Sequence, residues 1–483
     1  MAPTLPEIRL IAILPEIILA ILACALFVMD PFIEKQKKSQ LGYFSIGALL
    51  LSGFSCLFLF GESITTFSGM ITLDAYALFF KVLFLLAALV VVLMSIRYVQ
   101  VERINLGEYY GLILFATIGM MLMPSATDLL SFYLSLELMS MSFYVLIAFM
   151  RKDPKGIESG IKYFLTGVFA SGIILYGMAF LYGATGTTNL SEIATFIQVN
   201  EITSNPSLSM AFVLLVTGFG FKIASVPFHM WAPDVYEGSP TPITAYLSAG
   251  SKAAAFSVML RIFIDAFSLS SGNWWQIFWV IAVLTMTLGN LMALVQSNIK
   301  RMLAYSSIAH SGYIIMGLIA ASEIGYAAIM IYLVGYVFMT LGAFVVIVLL
   351  CSPNLKGDQI SDFKGIARTN PMVALTFMLF ALSLIGIPPT AGFVGKLYLF
   401  NAAIQGEFYW LAIIGILNSA VSLYYYFKVV QIMYTEEPAE STVLSFSPPI
   451  KVALGITGFA TLFIGLYPEP IIKAALYSVK IFL

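Results

Sequence analysis

The chain has 483 residues, of which 60% are hydrophobic and 10% are charged, and its formal net charge is −1. Soluble domains contain about 25% charged residues, so this composition excludes a soluble globular fold, and the near-zero charge excludes a basic surface for nucleic acid. We therefore interpret the chain as an all-α polytopic membrane protein whose apolar runs cross the bilayer.

Apolar segments of helical length predict about 14 transmembrane spans. They start near residues 10, 43, 76, 109, 128, 159, 210, 241, 274, 302, 325, 371, 407 and 448. The first run begins at Leu10 and lacks the basic region and cleavage site of a secretory signal, so we expect it to remain as a helix.

Lysine and arginine are concentrated in the loops after odd-numbered spans. These loops contain Lys35, Lys37, Lys38, Arg97, Arg103, Arg151, Lys152, Lys155, Lys300, Arg301, Lys356, Lys364 and Arg368. Even-numbered loops have almost none, the exception being Arg261 at the end of span 8. The positive-inside rule therefore predicts that the odd loops face the cytoplasm and that both termini lie on the outer, periplasmic side.

Two spans are interrupted by proline at equivalent places. Pro227 lies in span 7 ahead of SPTPITAYLSAGSK, and Pro388 and Pro389 lie in span 12 within SLIGIPPTAGFVGK. A proline removes a backbone donor, and the freed carbonyls are tolerated at membrane depth only where protein or water satisfies them. Spans 4–8 and 9–13 then form two five-helix repeats, and the odd number of helices inverts the second copy, as in many transporters.

This pattern predicts four regions. They are an N-terminal three-helix segment (1–104), a first antiporter-like repeat (105–265), a second inverted repeat (270–436) and a C-terminal helix (440–483).

Four charged residues fall near the middle of the membrane. Glu137 lies in span 5, Lys222 in span 7 and Lys252 in span 8, and Lys396 follows the break in span 12. A charge at the bilayer centre costs roughly 2.5–3.5 kcal/mol, so these residues require a compensating environment.

Polar residues recur at helical spacing around these charges. The four stripes are Lys222, Ser225 and His229 on span 7; Thr244, Ser248 and Lys252 on span 8; Ser306, His310 and Tyr313 on span 10; and Asn418, Ser422 and Tyr426 on span 13. A single stripe is more often a packing contact between helices, and a lone membrane histidine is more often a satisfied packing residue. The coincidence of charges, histidines, stripes and breaks favours a hydrated path inside the bundle.

Lysines near span ends have a simpler interpretation. We interpret Lys81, Lys162 and Lys428 as snorkelling side chains whose charged ends reach the membrane surface.

Buried lysine and histidine are suited to proton transfer, because nearby charges and hydration control whether they hold a proton. If Glu137 pairs with Lys222, a change in that pair would switch the lysine between holding and passing its proton. His229 and His310 could bridge one lysine to the next.

Five stretches of the chain resemble one protein family. They are PFHMWAPDVYEGSPTPITAYLSAGSKAAAF, DLLSFYLSLELMSMSFYVLIAF, GIKYFLTGVFASGIILYG, RMLAYSSIAHSGYIIMG and GIPPTAGFVGKLYLFNAAI. They are similar to the N subunit of respiratory complex I, the proton-translocating NADH:quinone oxidoreductase, over roughly residues 105–435. The lysine at 396 and the DVYEGSPTP stretch favour the N type over the M type.

The resemblance implies a 14-helix antiporter-like subunit of the membrane arm of a proton-pumping translocase. It implies that Glu137 and Lys222 form a modulating pair and that Lys252 and His310 are connecting relay members. Lys396 is implied as the exit-side lysine, and His229 occupies the family's position in PFHMW.

The resemblance also implies that NADH, FMN, iron–sulfur clusters and quinone are held by partner subunits, with the electron donor left open between NADH and ferredoxin. The residues favour no cofactor or metal in this chain, since Cys24, Cys56 and Cys351 are far apart and lack a nearby histidine. Other membrane-arm subunits are the expected direct partners, and a bacterial inner (plasma) membrane is the expected location.

Three other functions stay open from the sequence. One is a subunit of a multi-subunit Na⁺/H⁺ antiporter or membrane-bound hydrogenase, which shares these lysines and breaks. The second is a structural membrane scaffold whose charges only pair and pack. An independent solute transporter is disfavoured, because the sequence offers no substrate chemistry beyond protonatable groups.

Overall fold

The computed structural model describes residues 8–34, 37–104, 106–200, 202, 205–267, 274–351, 357–438 and 446–482. Lys35 and Lys356, which contribute to the predicted charge asymmetry, lie outside these ranges. Within them the chain forms α-helices and one small antiparallel hairpin.

The helices are α1 (Leu14–Met29), α2 (Ser39–Leu57), α3 (Ala75–Val101), α4 (Gly107–Leu122), α5 (Leu129–Ile147), α6 (Pro154–Thr185), α7 (Leu190–Val199), α8 (Pro206–Lys222), α9 (Trp231–Gly238), α10 (Thr241–Tyr246), α11 (Lys252–Arg261), α12 (Trp275–Leu294), α13 (Ile299–Ile319), α14 (Glu323–Leu350), α15 (Ile366–Thr369), α16 (Pro371–Ile385), α17 (Ala391–Gln405), α18 (Tyr409–Thr435), α19 (Pro448–Leu466) and α20 (Glu469–Val479). The strands are β1 (Ile64–Thr66) and β2 (Ile71–Leu73), with Ile64 opposite Leu73.

The helices reproduce the predicted order of spans. Eleven continuous helical segments of the described chain are long and apolar enough to cross a membrane. Helix α4 adds a twelfth span, and the pairs α8–α9 and α16–α17 form the two interrupted spans, 7 and 12. The prediction of an all-α polytopic protein with about 14 spans is confirmed, whereas the four region boundaries stay predictions.

Span 8 departs from regular helix geometry. Its two halves, α10 and α11, are joined by a π-helical turn over Leu247–Ser251, and a second π-helical turn continues α11 over Ile262–Ala266. Such turns contain one extra residue per turn and occur frequently at functional sites. The first of them directly precedes Lys252.

Four elements were not predicted because each is too short to span a membrane. They are the β1–β2 hairpin, α7, α15 and α20. Helix α7 buries Leu190, Ile193 and Ile197 along one face, and Asn189 caps its start by accepting a hydrogen bond from the Ser191 amide.

The innermost layer of the bundle consists of the span over residues 241–266 together with α13 and α14. The most apolar windows of these three segments are fully buried, whereas those of α6, α12, α18 and α19 are each less than half buried. Lys252 and His310 therefore lie on inner helices, and each is only 2% exposed.

Two charged residues behave differently from the sequence interpretation. Lys81 is fully buried and forms an ion pair with Glu16 at 2.8 Å, so its interpretation as a snorkelling side chain is wrong. Arg261 forms an ion pair with Asp74 at 2.5 Å and donates to the Pro124 carbonyl at 2.6 Å. Because its charge is neutralised inside the protein, Arg261 does not contradict the predicted orientation.

Candidate proton-transfer site

Lys222 is the last residue of α8. The chain leaves the helix there, and Ala224 adopts a left-handed conformation with φ of 55°. The side chain is 7% exposed and its Nζ donates to Ser140 Oγ at 2.9 Å and Ser171 Oγ at 3.2 Å. The charge is thus held by hydroxyls of two neighbouring helices, α5 and α6.

Glu137 lies one turn before Ser140 on α5. Its Oε1 atom is buried and accepts no hydrogen bond within the described chain, and no ion pair joins it to Lys222 within 4.0 Å there. Glu137 and Lys222 therefore form no direct ion pair among the described residues, and their role as a modulating pair stays a prediction. Instead, Ser140 binds Lys222 on the same helix that carries the carboxylate.

The predicted polar stripe on span 7 is wrong beyond Lys222. The helix ends at Lys222, so Ser225 and His229 lie in the break between α8 and α9 rather than on its face. Ser225 donates to the Gly220 carbonyl at 3.2 Å. His229 is half-buried, and its Nδ1 makes no hydrogen bond within the described residues, so it does not bridge two lysines here.

Lys252 meets a cluster of hydroxyl groups at Ser307 on α13. Its Nζ donates to both the carbonyl and the Oγ of Ser307 at 2.5 Å. The same Oγ lies 2.8 Å from the Tyr336 hydroxyl and 3.3 Å from Ser248 Oγ. We call Ser307, Tyr336 and Ser248 the Ser307 cluster.

His310 lies one turn beyond Ser307 on α13 and is 2% exposed. Its Nδ1 is hydrogen-bonded to the Tyr332 hydroxyl, and its ring centroid lies 5.3 Å from that of Tyr336. The Tyr313 ring follows at 5.9 Å. His310 therefore connects the Ser307 cluster to the region around Lys396.

Lys396 on α17 folds back onto the break in span 12. Its Nζ donates to the carbonyls of Leu384 and Ile385, at 3.2 and 2.7 Å, and to Ser419 Oγ at 2.9 Å. The Nζ also lies 4.7 Å from the centre of the Tyr313 ring. Within the described chain these carbonyls have no amide partner, because α16 ends at Ile385, so the lysine satisfies the backbone that the break frees.

The remaining stripes also meet polar partners. On span 8, Thr244 donates to the Tyr236 carbonyl at 3.0 Å. On span 10, Ser306 is hydrogen-bonded to Tyr426 of span 13. Asn290 joins the same two helices, lying 3.3 Å from the Tyr313 hydroxyl and 3.4 Å from Asn418 Oδ1.

The structure thus brings Lys252, His310 and Lys396 into one polar line, whereas Lys222 binds the hydroxyls of Ser140 and Ser171. Sequence reasoning missed the side chains that join them. These are Ser140, Ser171, Ser307, Tyr332, Tyr336, Asn290 and Ser419. The sequence does contain a signal for the tyrosines, since Tyr332 and Tyr336 recur at i and i+4 on a largely apolar span.

No group of three or more His, Cys, Asp or Glu side chains that could hold a metal ion occurs among the residues that the structure describes. Cys24 is exposed, Cys56 and Cys351 are buried, and all three are free thiols.

Interrupted helices with buried lysines define the class of antiporter-like membrane subunits, and residues 126–422 match the family described as NADH:quinone oxidoreductase/Mrp antiporter, TM. The chain is 46% identical to NADH-quinone oxidoreductase subunit N of Trichlorobacter lovleyi, and the match covers 98% of each chain. It is 42% identical to NADH-quinone oxidoreductase subunit N of Desulforamulus reducens, and that match covers 99% of each chain. The chain belongs to the NADH-quinone oxidoreductase subunit N family, as its sequence motifs predict.

Solved structures agree with this assignment. A chain of respiratory complex I from Thermus thermophilus with bound aureothin superposes with a TM-score of 0.82 at 32% identity, covering 96% of this chain and 99% of that one. The Mrp complex from Dietzia sp. gives a TM-score of 0.86 at 20% identity, covering 98% of each chain. The second likeness shows the fold alone.

Proposed function

We propose that this chain is a proton-translocating subunit of the membrane arm of an NADH:quinone oxidoreductase. One observation carries the proposal. Lys222, Lys252 and Lys396 are buried, and each binds hydroxyl or carbonyl oxygens in place of a carboxylate. A lysine paired directly with a carboxylate would keep its proton firmly, whereas these lysines can release one to a neighbouring polar group.

The polar line suggests an order of residues. Lys252 exchanges a proton with the Ser307 cluster, His310 receives it beside Tyr332 and Tyr336, and Lys396 delivers it past the break in span 12. Glu137 and Lys222 act as the modulating pair, and they are connected by Ser140, which binds Lys222 and lies one turn from Glu137 on α5. His229 carries a proton when the break in span 7 rearranges, since its Nδ1 is buried and has no hydrogen-bond partner among the described residues.

Energy for transport comes from outside the chain. Moving one charge across the membrane requires about 2.3 kcal/mol per 100 mV. Redox chemistry in partner subunits that hold NADH, FMN, iron–sulfur clusters and quinone supplies it. The direct partners are other membrane-arm subunits, and the peripheral arm acts on this chain indirectly.

We propose that the chain lies in the bacterial inner membrane with both termini on the periplasmic side. The even number of spans supports termini on one side, and the concentration of Lys and Arg after odd spans supports a cytoplasmic position for those loops. The units 105–265 and 270–436 are proposed as the two inverted repeats, because the interrupted pairs α8–α9 and α16–α17 hold equivalent positions in them.

A test replaces Lys252 by Ala in the assembled complex. We expect NADH-driven proton uptake by inside-out vesicles to fall about tenfold or more, with normal assembly on a native gel. The matched control is Lys428→Ala on α18, whose exposed side chain lies outside the polar line and whose loss should leave uptake unchanged. Loss of assembly with normal uptake per assembled complex would instead support a scaffold role.

A further inference from the structure

Helix α9, the second half of the broken span 7, has two acidic residues on one face. Asp234 and Glu237 are three positions apart and therefore project in similar directions. Neither residue contacts the relay lysines, so the proton path does not account for them.

Both carboxylates are bound by cations from two other helices. Asp234 lies 2.7 Å from Lys162 and 2.8 Å from Arg301, and Glu237 lies 2.8 Å from Lys155 and 2.9 Å from Arg301. Lys155 and Lys162 belong to α6 in the first proposed repeat, and Arg301 belongs to α13 in the second. We call Asp234, Glu237 and Arg301 the α9 clamp.

The two helices of the clamp also meet at the proton path. The hydroxyl of Tyr236 on α9 lies 3.5 Å from Ser307 Oγ on α13, and Tyr236 is 1% exposed. Ser307 follows Arg301 by six residues, or about 9 Å along the helix axis. Helices α9 and α13 thus contact each other both through the charged side chains of the clamp and at the hydroxyl that binds Lys252.

The end of α9 is held closely as well. Lys300 Nζ donates to the carbonyls of Glu237 and Ser239, both at 2.7 Å. Gly238 packs so tightly that an added Cβ would overlap the Ser159 hydroxyl. The position of α9 against α6 and α13 is therefore well defined.

The clamp differs from the buried ion pairs elsewhere in the molecule. The side chains of Asp234, Glu237 and Arg301 are 37%, 19% and 27% exposed, whereas those of Arg261 and Asp74 are 4% and 8% exposed. Partly exposed ion pairs are individually weak. The clamp can therefore hold α9 in place while still allowing α9 to move relative to α13.

We propose that the α9 clamp positions Tyr236 against Ser307 and thereby sets proton exchange at Lys252. Its three members are positioning residues, since none touches the proton-carrying groups. This role of the clamp rests on the proposed function. It adds a charged contact between the two proposed repeats that regulates proton exchange at Lys252.

The test measures NADH-driven proton uptake per assembled complex in inside-out vesicles. Arg301→Gln removes the cation shared by both carboxylates, and uptake is expected to fall about fivefold. Tyr236→Phe removes the hydroxyl and should lower uptake similarly. If the clamp acts through Tyr236, the double variant is no slower than the slower single variant. Multiplied losses in the double variant would overturn the proposal.

Two further variants separate positioning from folding. Arg301→Lys keeps the charge and should recover most of the uptake. The matched control, Arg368→Gln, removes an arginine from an ion pair with Glu437 that does not contact α9, and uptake should stay normal. An equal loss in Arg368→Gln would also overturn the proposal.

If Arg301→Gln fails to assemble, Glu237→Gln is combined with Tyr236→Phe in the same way, because it neutralises only one of the two carboxylates.

Lys252→Ala distinguishes failure of the proposed function from failure of the clamp proposal. Normal uptake in Lys252→Ala refutes the proposed function. A loss in Lys252→Ala with multiplied losses in the Arg301→Gln, Tyr236→Phe double variant refutes the clamp alone.

Discussion

The lysines beside the two helix breaks have different kinds of hydrogen-bond partner. Lys222 precedes the break in span 7 and binds hydroxyls from α5 and α6. Lys396 follows the break in span 12 and binds two carbonyls that the break itself frees. One lysine therefore depends on neighbouring side chains, whereas the other is part of the structure that closes its own break.

The breaks also differ in how tightly they pack. A Cβ at Gly392 would overlap the backbone carbonyl of Ser383, whereas one at Gly220 would meet only side chains, the Phe228 ring at 2.7 Å and Ser225 Oγ at 3.1 Å. Backbone cannot move aside as a side chain can, so the span 12 break is the more rigid of the two.

The largest expected effect comes from Gly392→Ala. Overlap with the Ser383 carbonyl should destabilise the fold by about 3 kcal/mol or more and sharply reduce the amount of assembled complex on a native gel. The control, Gly172→Ala, adds a Cβ with no atom within 4 Å and should assemble normally. Normal assembly of Gly392→Ala would show that the span 12 break is as adaptable as the other.

A smaller effect separates the two lysines. Lys396→Met leaves the Leu384 carbonyl without its donor, whereas Lys222→Met leaves hydroxyls that can rotate to other acceptors. We expect Lys396→Met to lower stability by about 1–3 kcal/mol more than Lys222→Met, measured as the denaturation midpoint of the detergent-extracted complex. Equal midpoints would contradict the distinction between the breaks.

The smallest effect concerns single hydroxyls. Ser140→Ala removes one of two side-chain acceptors from Lys222, and Ser419→Ala removes one of three acceptors from Lys396. We expect Ser140→Ala to slow coupled proton uptake by about fivefold, from a hydrogen bond of about 1 kcal/mol, and Ser419→Ala to slow it less. The reverse order would mean that the carbonyls contribute little to holding Lys396.

The buried positions of Lys222, Lys252 and Lys396 could be predicted from sequence because a charge inside an apolar run is conspicuous. Their partners could not, since Ser140 and Ser171 are 82 and 51 residues away from Lys222, and only the packing of helices brings them together.

The prediction of a polar stripe on span 7 was wrong for a local reason. Helical spacing assumes a continuous helix, and the helix ends five residues before Pro227, where Ala224 adopts a left-handed conformation. Lys81 was misinterpreted for the opposite reason, since its position near a span end gave no indication of Glu16 on another helix.

The ion pair between Arg261 and Asp74 has a consequence for biogenesis. The two residues are 187 positions apart, so at 5–20 residues per second roughly 10–40 s of translation separate them. During that interval the Asp74 side chain has its helix-capping bond to the Ala77 amide but lacks its arginine. The ion pair between α3 and span 8 therefore forms only after the ribosome has synthesised span 8 and the span has entered the membrane, whereas contacts of the N-terminal helices with α4, such as that of Asp30 with the Gly107 amide, can form earlier.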